Sequence, residues 1–260
     1  MSNLPFAKKS LGQHWLDDEE SLKAIVEVAN LAKNDFVLEI GPGAGALTQN
    51  IIQSKAKVLA LEFDKKLAST LEQKYRNNEN TEIKNGDIRK FNFSLLPEGY
   101  KIVANIPYYL TANLFRKLID TSNKPLIAVL LVQKEVALRV CSLPGELSKL
   151  AVLMQNEYIA ELGVVVPANK FIPPPKVDSQ VLILTKRKQP LISEKNLFLK
   201  IVSIGFEHKR KKLSSNLAGG LKISKAEIEK ILHSIEVEPD VRAQDLSLED
   251  WKNLINLVKH

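Results

Sequence analysis

Asn105-Ile106-Pro107-Tyr108 follows directly on an apolar run at 100–104. That run has the composition of a buried strand. The tetrapeptide therefore falls where the strand's carboxyl end opens into a loop, the edge of an open α/β sheet at which ligands bind. Asn105 brings a carboxamide oxygen. Pro107 has no N–H and a fixed φ, so the Ile106 carbonyl ahead of it is not claimed by a helix beginning there. Two such acceptors beside the flat phenol of Tyr108 suit a planar amine such as the exocyclic group of adenine. The oxygens accept its two N–H bonds and the ring stacks on the base.

A second chemical stretch is Glu39-Ile40-Gly41-Pro42-Gly43-Ala44-Gly45. Glycines at alternate positions, Gly41, Gly43 and Gly45, let the backbone turn sharply and approach a ligand with no Cβ in the way. Glu62, roughly 20 residues on, ends the next apolar run, placed to accept hydrogen bonds from a ribose diol. Gly41, Gly43 and Ala46 also satisfy the looser dinucleotide pattern, so a nicotinamide competes at this point. Three features favour S-adenosylmethionine. Glu39 precedes the first glycine, where it can organise the loop and approach the cofactor's cationic end. Asp87, after Asn85-Gly86, can accept the cofactor's adenine amine. Asn105 then follows the next strand, so successive strand ends line one crevice. There is no P-loop lysine pattern, and the four histidines form no metal-ligand motif, so no metal is expected.

The elements that must position these residues alternate. Short apolar or β-branched runs at Phe36–Ile40, Lys57–Glu62, Thr81–Asn85, Lys101–Asn105 and 126–133 are separated by helix-period segments, notably Ala46–Gln53, Lys65–Tyr75 and Thr111–Asp120. This predicts a parallel sheet covered by helices on both faces. Asp17-Asp18-Glu19-Glu20 leads into an earlier periodic stretch ending near Ala32, with acidic residues favourable at its start. Beyond residue 147, Tyr158–Val166 and 181–185 read as strands joined through Phe171-Ile172-Pro173-Pro174-Pro175, a stiff loop that no central strand could hold. After Gln189-Pro190 the chain reads as helical, at 196–205, 224–233 and Leu248–Val258. A boundary near Lys188 divides a domain at 1–188 from a small all-α domain at 189–260.

A chain of 260 residues, 45% hydrophobic and 26% charged, is an ordinary globular protein able to bury a substantial core. A single cysteine, Cys141, excludes an intrachain disulfide and suits a reducing, cytoplasmic setting. The first ten residues lack a signal peptide's apolar core, and the longest apolar run, 126–132, is far too short to cross a bilayer. A soluble protein with no membrane partner is expected. Net charge is +7, and segment 186–212 alone carries nine Lys or Arg against two Glu. Two runs within it, Lys186-Arg187-Lys188 and His208-Lys209-Arg210-Lys211-Lys212, suggest a phosphate-backbone footprint.

Together these motifs resemble the ribosomal-RNA adenine N6,N6-dimethyltransferase family over nearly the whole chain. The resemblance begins at Lys9-Ser10-Leu11-Gly12-Gln13-His14-Trp15-Leu16, similar to the family's amino-terminal cofactor lid. It runs through the 39–45 loop, Glu62, Asp87, the 105–108 motif, and Phe171-Ile172-Pro173-Pro174-Pro175-Lys176-Val177-Asp178-Ser179. Arg210-Lys211-Lys212-Leu213 and Ala243-Gln244-Asp245-Leu246-Ser247 are similar to the carboxy-terminal domain of the small-subunit branch. The resemblance implies a Rossmann-like S-adenosylmethionine methyltransferase domain of α/β class with a small all-α carboxy-terminal domain. It implies a monomeric enzyme that dimethylates adjacent adenines near the 3′ end of small-subunit ribosomal RNA and takes part in subunit biogenesis. It further implies that His14, Leu16, Gly41, Glu62, Asp87 and Asn105 contact S-adenosylmethionine, and that Tyr108 and Phe171 hold the target adenine between aromatic faces. His14 and Trp15 stand where Asn and Phe are frequent in the family, and Tyr109 where Asn is common. Two alternatives stay open: a large-subunit adenine methylase of the macrolide-resistance type, and a non-catalytic RNA-binding assembly factor.

Overall fold

The computed structural model describes residues 5, 7, 8 and 11–258, so Lys9 and Ser10 of the lid motif lie outside the described residues. Its elements are, in order, β1 (Trp15–Leu16), α1 (Glu19–Val28), β2 (Phe36–Ile40), α2 (Ala46–Gln53), β3 (Lys57–Glu62), α3 (Lys65–Tyr75), β4 (Thr81–Asn85), β5 (Lys101–Asn105), α4 (Thr111–Asp120) and β6 (Ile127–Gln133). There follow α5 (Lys134–Val140), α6 (Lys149–Glu157), β7 (Tyr158–Val166), β8 (Phe171–Ile172), β9 (Ser179–Lys186), α7 (Lys195–Gly205), α8 (Leu213–Leu221), α9 (Lys225–Ser234) and α10 (Leu248–Val258).

Two compact units emerge, one of Met1–Ala137 with Ile159–Lys186, the other of Leu138–Tyr158 with Arg187–His260. The first holds a seven-stranded sheet in the order β4-β3-β2-β5-β6-β9-β7. The pairs β2–β3, β2–β5, β3–β4 and β5–β6 are parallel. β2, β5 and β6 are buried almost end to end, which is why they read as unbroken apolar runs. β4 carries exposed Glu82 and Lys84 at the sheet edge, a common protection against stray pairing.

The five strands read from the alternating pattern pair in parallel, as expected, and a later strand departs from that direction. β9 runs antiparallel to β6, from Ile127↔Thr185 to Gln133↔Ser179. β9 follows β7, its other neighbour in the sheet, through residues 167–178, where the prolines at 173–175 leave no room for the helical crossover that a parallel return beside β7 would need. α1 also ends earlier than expected, because Asn30 adopts the left-handed conformation (φ 43°) just after it. Asp18, Asp64, Ser148 and Ser224 cap α1, α3, α6 and α9 through their side chains. At the opposite end of the sheet from the crevice, buried Lys101 fixes the start of β5. Its Nζ bonds the Asn30 carbonyl at 2.6 Å and pairs with Asp35 at 2.8 Å.

The second unit packs helices around fully buried Trp251, whose ring stacks on Phe206 at 5.8 Å. The sequence division at Lys188 leaves out residues 138–158, which belong here by contact. Asn156 explains part of this: its Oδ1 accepts from the Ile192 amide at 2.8 Å and its Nδ2 donates to the Ile192 carbonyl. Gly145 and Gln244 likewise exchange bonds of 2.9 and 2.8 Å.

Candidate functional site

Strand order reverses around β2, between β3 and β5, so the carboxyl ends of these strands border a natural crevice. The crevice is lined wholly by the first unit. Its floor is the glycine loop. Gly41, Gly43 and Gly45 have φ of 69°, 58° and 84°, a region costly for any residue with a Cβ. At Gly43 there is no room either, since an added Cβ would collide with the ring of Trp15. Gly45 faces elsewhere. It caps α2, its carbonyl accepts from the Tyr75 hydroxyl at 3.3 Å, and a Cβ there would sit 2.6 Å from Leu71 rather than in the crevice.

Glu62 closes β3 with its carboxylate fixed by two amides, Gly43 N–H at 3.0 Å and Asp64 N–H at 2.7 Å. Burial pushes its pKa up, opposed by those same amides. Glu39 behaves differently from the expectation that it approaches a cationic ligand. It is 1% exposed, does not line the crevice, and neither carboxylate oxygen has a hydrogen-bond partner among the described residues. Burial is the main cause that raises its pKa to about 8, and the charge of Glu62 adds to it. The side chain lies under the loop because it points into the sheet–helix layer, where β2 is buried on both faces.

Asp87 lines the crevice, and Arg89 grips it from the side. The Arg89 amide donates to Oδ1 at 2.9 Å and its guanidinium to Oδ2 at 2.7 Å, which lowers the Asp87 pKa. The guanidinium also lies 5.8 Å over the Phe63 ring. Asn85 donates to the carbonyls of Glu62 and Phe63, holding the chain after β3 in place. Phe63 and Arg89 carry no motif in the sequence, and Trp15 entered there only as part of the lid. An exposed aromatic next to a strand-terminal carboxylate, as at Phe63, was the available signal.

At the end of β5 the Ile106 amide is spent on the Leu131 carbonyl at 3.2 Å, and the Pro107 carbonyl accepts from Leu110 at 2.9 Å. The Ile106 carbonyl and the Asn105 carboxamide have no such bond among the described residues. Both residues line the crevice. The Tyr108 hydroxyl is tethered to Ser179 Oγ at 2.9 Å, and burial raises its pKa. Tyr108 also has an aromatic neighbour within the protein. His14 stacks on it at 5.9 Å and 26°, held by donation from its Nδ1–H to the Pro173 carbonyl at 2.7 Å. Phe171 pairs with Leu16 in the two-stranded β1–β8 ribbon and is only 3% exposed within the apolar core cluster, although its edge reaches the crevice.

Lys209, Arg210, Lys211 and Lys212 are exposed between α7 and α8, on a loop pinned by Asn216, which donates to the Gly205 carbonyl at 2.7 Å and the His208 carbonyl at 3.2 Å. Lys186 ends β9, Lys188 is exposed, and Arg187 is half-buried with Nε committed to the Gln155 carbonyl at 2.9 Å. Among the described residues no group of His, Cys, Asp or Glu could hold a metal ion, and no helix is long and apolar enough to cross a membrane.

The ribosomal RNA adenine dimethylase family matches residues 6–260. The chain belongs to that family. It is 37% identical over 254 residues to the ribosomal RNA small subunit methyltransferase A of Dehalococcoides mccartyi, covering 95% of this chain and 87% of that one. It is 35% identical over 272 residues to the protein of the same name from Rippkaea orientalis, covering 98% and 99%. Among solved structures, a dimethyladenosine transferase from Plasmodium falciparum superposes with a TM-score of 0.82 at 25% identity, covering 95% and 98%. The 23S rRNA methyltransferase ErmE superposes at 0.79 and 25% identity, covering 95% and 100%. Like other ribosomal RNA adenine dimethylases, the enzyme takes S-adenosylmethionine as cofactor. The crevice fits such a group. It offers a glycine floor with no Cβ, two carboxylates at successive strand ends and unclaimed acceptors beside an aromatic ring.

Proposed function

We propose that this enzyme methylates N6 of adenines, two methyls on each of two adjacent bases, near the 3′ end of small-subunit ribosomal RNA during subunit biogenesis. The observation that carries the reading is the pair of open acceptors, the Asn105 carboxamide and the Ile106 carbonyl, at the crevice that also holds Glu62 and Asp87. The small-subunit substrate is supported by relatives named for it at 34–37% identity along most of the chain.

In this assignment Gly41 and Gly43, with His14 and Leu16 above them, enclose the cofactor. Glu62 takes its ribose hydroxyls and Asp87 its adenine amine. S-adenosylmethionine supplies an electrophilic methyl group carried on a sulfonium centre. The chain's own task is the nucleophile. An adenine inside a duplex cannot reach a crevice, so the target must be unstacked. Its N6 lone pair is delocalised into the ring. Accepting both N6 protons on Asn105 Oδ1 and the Ile106 carbonyl favours a more pyramidal nitrogen and fixes its direction. Such positioning can supply about 7–11 kcal/mol in well-oriented systems. Tyr108, tethered to Ser179, forms one wall for the base. For the second methyl, one acceptor must be vacated by the monomethylated amine. Lys186, Arg187, Lys188 and Lys209–212 bind RNA phosphates. The protein works in the cytoplasm, a reading supported by its single cysteine and checked by fractionation, and it works as a monomer, which sedimentation checks.

Asn105→Ala is expected to lower the turnover of labelled methyl groups by about 10²-fold or more, the usual cost of losing one preorganised hydrogen-bonding group, with RNA affinity nearly unchanged. Transfer within tenfold of wild type would contradict the role.

A further inference from the structure

Beside the crevice lies a second, open depression between residues 89–94 and α4. Arg89 lines both. The charged residues of this groove are Arg89, Lys90, Arg116 and Lys117 against Asp120 alone. Two of the cations are committed within the protein: Arg89 grips Asp87, and Lys117 Nζ donates to the Arg89 carbonyl at 3.2 Å while lying 5.5 Å over Phe93. The other two are exposed to solvent: Lys90, and Arg116, whose side chain is 85% exposed and pairs loosely with Asp120 at 3.6 Å, an exposed ion pair that a phosphate can displace. Half-buried Phe91 contributes an aromatic surface between them.

We infer that this groove binds the phosphate backbone of the single-stranded RNA flanking the target adenine. The inference rests on the proposed activity. A base drawn out of its stack leaves a neighbouring strand that must pass over the crevice rim, and Arg89 is part of that rim. Cations spaced along a groove with an aromatic face are the usual means of holding a single strand without reading its sequence. The charges come from two segments distant in sequence, so no basic run betrays them. They are separate from the basic runs at 186–212.

The test is Lys90→Gln/Arg116→Gln in the full chain, with a fluorescent 3′-terminal fragment of small-subunit ribosomal RNA as probe. Anisotropy titrations from 50 to 200 mM salt should give a dissociation constant raised about tenfold and a salt slope shallower by about 1.4, two phosphates' worth for a single strand. Cofactor affinity by calorimetry and the melting temperature should be unchanged, and Lys90→Arg/Arg116→Lys should restore binding. Unaltered affinity and slope overturn the inference. So does a loss that the charge-preserving pair fails to rescue, or one matched by an equal loss of cofactor affinity. Unaltered RNA affinity with weakened binding to assembled subunits would assign the groove to a protein surface and also overturn it. A wild-type protein that binds the probe but methylates no adenine in any subunit preparation would sink the proposed activity and leave the groove standing.

Discussion

Glu39 and Glu62 stand on adjacent strands, yet their surroundings send them to different tasks. Two amide donors keep Glu62 serviceable as an acceptor at the crevice. Glu39 has no donor among the described residues, and with a pKa near 8 it is neutral through most of the physiological range. A carboxyl whose folded pKa is raised adds stability that is complete below its unfolded value and lost as pH climbs through the folded one. Thermal melts of wild type should therefore drop between about pH 4.5 and 8, more steeply than those of Glu39→Gln; parallel curves would remove the buried neutral acid from the account. Gly43 makes a second test at this scale. Gly43→Ala must bear a left-handed backbone, about 1–2 kcal/mol, as well as the contact with Trp15. Calorimetry should show cofactor affinity lost in Gly43→Ala and partly recovered when Trp15→Leu is added. Without that recovery, the Trp15 contact is not what excludes a side chain.

Strands buried on both faces announced themselves, because covering a sheet with helices demands uninterrupted apolar runs; Phe36–Ile40 and Lys101–Asn105 are found where those runs lie. The helices Ala46–Gln53, Lys65–Tyr75 and Thr111–Asp120 were equally plain from their period. What stayed hidden was built from pairing rather than pattern. β1 and β8 have two residues each, too few for any period, and exist because each completes the other. The direction of β9 depends on where the chain re-enters the sheet, which composition does not encode. At the site, the acceptors of Asn105 and Ile106 followed from residue type alone, whereas the His14–Tyr108 stack joins residues far apart in the chain. The β1–β8 ribbon continues into the bond from the Asp17 amide to the Lys170 carbonyl at 2.9 Å. Asp17→Pro removes that donor, worth about 1 kcal/mol, and should weaken cofactor binding several-fold while leaving the far-ultraviolet circular dichroism of the sheet intact. Unchanged affinity would separate the ribbon from the cofactor's enclosure.

Over the entire chain the excess of +7 coincides with segment 186–212, a distribution visible without any structure. Its use was less visible, since Arg187 spends part of its capacity on the Gln155 carbonyl while Lys209–Lys212 remain in solvent. Neutralising Lys209, Arg210, Lys211 and Lys212 together should weaken RNA binding and flatten its salt dependence by about 3 in slope. An unmoved slope would return them to the ordinary solvated surface. The chain has only two tryptophans, and they are placed very unequally. Trp251 is sealed inside the helical unit, whereas Trp15 lies against Gly43 with its indole N–H on the Pro5 carbonyl at 2.8 Å. The enzyme thereby carries its own optical probe: a ligand settling on the glycine floor must alter the emission of one indole and leave the other as a constant background.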